Sequence, residues 1–198
     1  MDIAHAKIII DNLYADIDGY GVSNIGRNTN GYRSKSFTYG EITPEAFQAI
    51  ITDAEPKKGT VFYDMGSGTG KAVLLATMLF PFLKCIGIEL VDSLYNTSVS
   101  ILKRYRAEVE EKDIAEPIFI HGNFLEVDIS DADLIFAHST CFEEHIMMGL
   151  EEKLKLVKPG TKILTVTKNL ESSEFRYIKQ REYNMNWGKS TVHFQERA

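Results

Sequence analysis

The chain has 198 residues, 44% of them hydrophobic and 25% charged, with a formal net charge of −6, which suits one domain with a sizeable core in the range of soluble globular proteins. No apolar run reaches bilayer-spanning length, and the opening MDIAHAKIIIDNLYAD has acidic flanks and no cleavage-site pattern, so a cytoplasmic protein is expected. The acidic balance argues against a generic nucleic-acid binder, and Cys85 and Cys141, without CxxC spacing, read as reduced bystanders rather than a disulfide or a metal site.

In chain order, Ile3, Ile10, Leu13, Tyr14 and Ile17 fit a short amphipathic helix. Asp18 to Ser36 is long, polar and glycine-rich, and reads equally as a connector or as a substrate-binding lid. Residues 1–42 are therefore read as an N-terminal helix and lid loop, and 43–198 as the main domain. Thr43 at the N-cap, Pro44 at the first helical position and Glu45 in the first turn predict a helix to about Ala54, burying Phe47, Ile50 and Ile51.

Thr60 to Gly70, TVFYDMGSGTG, follows. Val61, Phe62 and Tyr63 favour a strand; Gly66, Gly68 and Gly70 then allow positive φ and close backbone approach by a ligand. Lys71 to Leu79 reads as a helix, so free N–H groups are offered at its start. A dinucleotide fingerprint needs its third glycine at position 71, which is Lys71. The pattern is G-x-G-x-G with Asp64 two residues ahead, and it looks like the first motif of S-adenosyl-L-methionine-dependent methyltransferases. There Asp64 would pair with the α-amino group.

Leu83 to Leu90 is a second buried strand ending in Glu89, placed where an acid would bond a ribose diol. Leu94, Ile101, Leu102, Tyr105 and Val109 mark a long helix; its Lys103, Arg104, Arg106, Glu108, Glu110 and Glu111 read as a solvated charged face. Ile118 to His121 and Leu134 to Ala137 are two further strands, ending at Gly122-Asn123-Phe124 and His138-Ser139-Thr140. Phe142, Ile146, Met147, Leu150 and Leu154 read as the core stripe of the next helix. Lys162 to Val166, about Phe175 to Met185, and Ser190 to Gln195 close the chain as strands. The expected fold is α/β: a Rossmann-like sheet of about seven strands, mostly parallel with an antiparallel C-terminal strand, with helices on both faces.

With Tyr39-Gly40-Glu41 before the first core helix, Asp64 to Gly70, Gly87-Ile88-Glu89, Gly122-Asn123-Phe124 and Trp187-Gly188-Lys189, the chain resembles a narrower family. This is the non-SET histone-lysine methyltransferases named for disruption of telomeric silencing, within the class I methyltransferases. The resemblance covers about Phe37 to the C-terminus. It implies that Asp64, Gly66, Ser67, Gly68, Thr69, Gly70 and Lys71 surround the methionine end of S-adenosyl-L-methionine, Glu89 holds the ribose, and Asn123 with Phe124 meets the adenine. The loop of Tyr39 and Glu41 would close over the cofactor, and Trp187 would wall a channel for a substrate lysine.

Three positions depart from the family. Lys71 replaces a glutamine or asparagine, and its ammonium could pair with the cofactor carboxylate. Asn123 replaces an acid, and its amide oxygen can still accept. His138-Ser139 replaces an asparagine pair beside the acceptor, making His138 the candidate base, with Tyr39, Trp187 and Phe194 as aromatic walls. His138, Cys141, Glu144 and His145 match no metal template, so no metal is expected. The expected function is lysine N-methylation on a protein. A non-catalytic cofactor-binding module and a small-molecule methyltransferase are the alternatives. Without a basic extension, nucleosome binding through this chain is not expected.

Overall fold

The computed structural model describes residues 1–109 and 115–198; Glu110 and Glu111, read as part of the charged helix face, lie outside the described residues. One seven-stranded sheet forms the centre, in the order β3-β2-β1-β4-β5-β7-β6. The strands are β1 (Val61–Met65), β2 (Lys84–Glu89), β3 (Pro117–His121), β4 (Leu134–Ala137), β5 (Lys162–Val166), β6 (Phe175–Met185) and β7 (Gly188–Arg197). β1 to β5 are parallel, β7 runs antiparallel to β5, and β6 runs antiparallel to β7.

All five residues of β1 are buried, because its two faces meet different layers. Phe62 packs in the layer that also holds α1 (Ile3–Leu13), α3 (Pro44–Asp53), α4 (Lys71–Leu79) and α5 (Asp92–Glu108), its ring edge-on to Phe47 at 6.2 Å. Val61, Tyr63 and Met65 face the opposite layer with Leu150 and Leu154 of α6 (Glu144–Leu154). That alternation is the two-residue period of a strand covered on both sides. α3 begins as its sequence dictates: Thr43 accepts the Ala46 N–H at 3.2 Å and Pro44 fills the first helical position.

The segment read as a loop is instead helical. α2 spans Gly19–Asn30, capped by Asp18, which accepts the Gly21 N–H at 3.0 Å, and ended by Gly31 at φ 70°. Its buried positions are Gly19, Ser23 and Gly26, and it lies against the start of α5, where Ser93 Oγ donates to Val22 O at 2.8 Å. A Cβ at Gly26 would sit 2.0 Å from Ser93 Oγ, so glycine is what permits this approach. Tertiary docking overrides the low helix propensity of its glycines and asparagines.

The chain leaves β1 toward β2 on one side, while β4 pairs on the other. A crevice therefore opens at the carboxyl ends of β1 and β4, where the strand order reverses and open α/β sheets hold ligands. Among the described residues no helix is long and apolar enough to cross a membrane.

Candidate functional site

A cavity of about 230 Å³ occupies that crevice. Its floor is the glycine loop. The N–H groups of Gly66 and Ser67 both donate to Ile88 O, at 2.9 and 3.0 Å, tying the loop across the end of β2. Gly66, Gly68 and Gly70 have φ of 90°, 56° and 88°. A Cβ at Gly66 would project toward the Phe142 ring at 3.9 Å, and one at Gly68 would meet Tyr39 Cε2 at 2.5 Å.

Two acids stand at the strand ends. Asp64, 3% exposed, lines the cavity; burial, and then the neighbouring charge of Glu89, push its carboxyl up to about 8, with no hydrogen-bond donor opposing the shift. Glu89 is also pushed upward by burial, but its two oxygens accept the N–H groups of Gly68 and Val91, each at 2.8 Å. Glu89 is thus oriented, whereas Asp64 has no partner for its charge among the described residues.

The stretch before α3 crosses the cavity as a roof. Tyr39 Oη donates to Glu41 Oε1 at 2.7 Å and lies 2.8 Å from Thr69 Oγ1. Lys71, expected to meet a ligand carboxylate, is ion-paired to Glu41 Oε2 at 2.6 Å, with its ammonium 4.8 Å from the Tyr14 ring centre. Thr69 and Gly70, predicted as cofactor contacts, do not line the cavity. The Thr69 carbonyl accepts from Tyr14 Oη at 2.8 Å and its hydroxyl meets Tyr39, while Gly70 turns under Phe119, whose Cζ would lie 2.5 Å from an added Cβ. Both residues brace the loop from behind.

At the other end Asn123 and Phe124 line the cavity as expected. Asn123 Oδ1 already accepts the Leu125 N–H at 3.0 Å, and its Nδ2 reaches Glu126 at 3.2 Å, so it also shapes its own turn. Phe124 stacks on Phe142, centroids 5.6 Å apart. Phe142 and Ile146, read as core stripe, do pack in the core layer with Leu150 and Leu154, but Phe142 precedes α6, which begins at Glu144, and both residues also line the cavity. Phe142 follows β4 within the next few residues as Phe124 follows β3; that parallel was the signal for it. Ser36, Phe37, Thr38, Leu125 and Leu94 also line the wall without having been singled out.

His138 lines the cavity with Nε2 buried and without a partner, and burial holds its imidazole down to about 4. The Trp187 indole, in the β6–β7 turn, covers it edge-on at 4.9 Å although Trp187 does not itself line the cavity. Phe194 does not join them. Paired with Leu164 across β5 and β7, it points into the α1/α3 core layer, 3% exposed, under the Lys179 ammonium. The strand register decides its face. His138, Cys141, Glu144 and His145 do not converge: among the described residues no group of three acids, histidines or cysteines could hold a metal.

Could an adenosyl amino acid fit this cavity? Asp64 offers an unpartnered carboxyl, Ser67 Oγ is buried without a partner, Gly66 leaves an open cradle, and two stacked rings stand at the far end. Those features match an ammonium, polar hydroxyls and a flat base in that order. The sheet and this site define a Rossmann-like class I methyltransferase fold. An RNA methyltransferase from Salinibacter ruber, solved in complex with S-adenosyl-L-homocysteine, shares that fold at a TM-score of 0.62 and 19% identity, over 80% of this chain and 94% of that one.

Residues 22–195 match the family described as Histone methylation protein DOT1, and the chain belongs to it. It is 28% identical over 160 residues to the Histone-lysine N-methyltransferase, H3 lysine-79 specific, of Eremothecium gossypii, covering 75% of this chain but 28% of that protein. The corresponding Dictyostelium discoideum protein is 32% identical over 136 residues, 65% of this chain and 7% of its own length. A Protein-lysine N-methyltransferase of Saccharolobus islandicus is 27% identical over 148 residues and is covered over 86% of its length.

Proposed function

We propose that the chain is an S-adenosyl-L-methionine-dependent methyltransferase acting on a lysine side chain of a protein. The observation that carries this reading is the unpartnered Asp64 carboxyl at one end of a cavity whose other walls are the Phe124–Phe142 stack and the half-buried, neutral His138. Membership of the family and the likeness to the Saccharolobus protein support the lysine acceptor.

S-adenosyl-L-methionine supplies a methyl group on a positively charged sulfur. Asp64 takes the α-ammonium, Glu89, already oriented by two backbone N–H groups, takes the ribose hydroxyls, and Phe124 and Phe142 hold the adenine. Tyr39, bonded to Glu41 and Thr69, roofs the site and keeps water out.

A lysine of ordinary pKa, about 10.4, costs roughly 4 to 5 kcal/mol to hold neutral at pH 7. His138, held at about 4, cannot keep that proton. Its bare Nε2 is suited to accept one N–H of a lysine that has already lost its proton, which aims the nitrogen lone pair. Trp187 stands over this point to pack on the lysine stem. The net charge of −6 favours a protein acceptor other than a nucleosome.

The test is incubation of the purified protein with methyl-labelled S-adenosyl-L-methionine and cell extract, with Gly68→Arg as the dead control. Label is expected in a protein band and, after hydrolysis, in methylated lysine. Label in the low-molecular-weight fraction, equal labelling by the control, or binding without transfer to any fraction overturns the reading.

A further inference from the structure

No step above uses the Glu41–Lys71 pair, although both residues line the cavity. Nζ and Oε2 are 2.6 Å apart, with the two side chains only 22% and 19% exposed. Glu41 spends its other oxygen on Tyr39 Oη at 2.7 Å, and the Lys71 ammonium has the Tyr14 ring beneath it at 4.8 Å. Lys71 thus has a carboxylate partner before any ligand arrives. Among the described lining residues it is the one side-chain ammonium, paired with Glu41 in a cavity that Asp64 and Glu89 also line.

We propose that Glu41 is an internal competitor for Lys71, displaced from it by the carboxylate of an amino-acid-bearing nucleoside. The inference rests on the S-adenosyl-L-methionine reading. The unpartnered Asp64 is the receptor for the ligand's ammonium, which leaves the ligand's carboxylate to the remaining cation. A second carboxylate beside Glu41 meets like-charge repulsion in a partly desolvated site, so Lys71 cannot hold both at full strength. Glu41 therefore weakens the hold on the amino-acid end, and the spent cofactor, which keeps that end, leaves more readily. When Lys71 is handed over, Glu41 remains bonded to Tyr39, so the roof keeps its contact with Thr69.

Calorimetric titration with two ligands separates this from a general effect on the cavity. S-adenosylhomocysteine carries the amino-acid end; 5′-methylthioadenosine has the same nucleoside and thioether without it. Glu41→Gln is expected to tighten S-adenosylhomocysteine about fivefold or more, a coupling of ordinary size for two charged groups, and to leave 5′-methylthioadenosine unchanged within about twofold. Lys71→Met is expected to weaken S-adenosylhomocysteine about tenfold, again sparing the truncated ligand. In the Lys71→Met background, where Glu41 and the ligand no longer share a cation, the effect of Glu41→Gln is expected to differ from that in the wild type, the non-additivity that marks the two residues as coupled. Weaker or unchanged S-adenosylhomocysteine binding by Glu41→Gln overturns the proposal, as does an equal change for both ligands. Thermal midpoints are measured alongside; if Glu41→Gln unfolds, Glu41→Ala is titrated with the same two ligands, and the same outcomes support or overturn the proposal. Wild-type protein that binds neither ligand sinks the cofactor reading itself, a result distinct from either of these.

Discussion

The Trp187 indole stands edge-on to the His138 imidazole, ring centroids 4.9 Å apart and planes at 84°. His138 is half-buried between that indole and the roof, where a Cβ on Gly40 would lie 3.4 Å from its Cε1. Trp187 is itself 42% exposed and is steadied by donating to Ser190 Oγ at 3.2 Å. It sits in the turn between β6 and β7, outside both strands, so its side chain can be removed without disturbing the sheet's register. Trp187→Ala is expected to admit water to the ring and raise the His138 pKa from about 4 toward its ordinary 6.5, read by proton NMR of the ring. A value that stays below about 5 shows that the burial comes from elsewhere.

Much of this arrangement was legible in the residues. α4 starts at Lys71 and stops at Leu79 as expected, because three glycines precede it and Pro81 follows. Asp64, Gly66, Gly68, Glu89, Asn123, Phe124 and His138 meet in one cavity because each ends a parallel strand, or follows one, on the same edge of the sheet. α2 was not legible: its helix is held by Gly26 and Val22 docking on the start of α5 and by Gly19 against Tyr39 and Glu41, a tertiary effect without an apolar period. Phe194 was misjudged because a half-buried strand does not announce which face its register will bury. Lys71 lines the cavity, but its partner Glu41 is 30 residues away along the chain and no local pattern joins them.

Asp64 makes stability depend on pH in a way most acids do not. Its folded pKa, about 8, lies above its ordinary 3.8, so its contribution is fully present below pH 3.8 and is lost as pH rises through about 8. At pH 7 the buried carboxyl costs the empty protein at most about 4 kcal/mol relative to a neutral group. Asp64→Asn is expected to raise the thermal midpoint at pH 7, with a gain that shrinks toward pH 4, while abolishing tight S-adenosylhomocysteine binding. Equal midpoints across that range in calorimetry contradict a raised pKa.

Proton release should accompany binding for the same reason. Below pH 8 Asp64 is largely protonated, and an arriving ammonium favours its ionised form, so about one proton leaves. Titration of S-adenosylhomocysteine to the wild type in buffers of different ionisation enthalpy is expected to show that release at pH 6.5 and to lose most of it about one pH unit above 8, where Asp64 is already ionised. Identical apparent enthalpies in all buffers for the wild type would place the ammonium on another group.

Gly68 and Tyr39 form a second pair open to a cycle. At φ 56°, with Tyr39 Cε2 2.5 Å from where a Cβ would stand, Gly68→Ala strains the backbone and displaces the roof. The cost expected is about 2 kcal/mol from denaturant unfolding, together with weakened cofactor binding. Tyr39→Ala removes the clash but also the bonds to Glu41 and Thr69. In the double variant the two losses should therefore sum to less than their separate values by about 1 kcal/mol. Strict additivity would mean that the alanine is accommodated without moving Tyr39.

The role assigned to His138 differs from that of a general base in one measurable respect. A base that takes and holds the lysine proton leaves an acid limb near its own pKa and is not replaced by an amide. A neutral acceptor that aims the amine is replaced, in part, by any side chain that presents a lone pair at the same point. His138→Asn and His138→Gln are thus expected to retain methyl transfer within about tenfold, while His138→Phe, which fills the space without an acceptor, loses on the order of 10²-fold in kcat with the affinity for S-adenosylhomocysteine kept. The kcat/KM profile of the wild type should climb with pH toward the lysine's own pKa, with no break at 6.5, since the imidazole is neutral from about pH 5 upward. If His138→Asn is as dead as His138→Phe, and the wild-type profile breaks where an imidazole titrates, the histidine carries the proton after all.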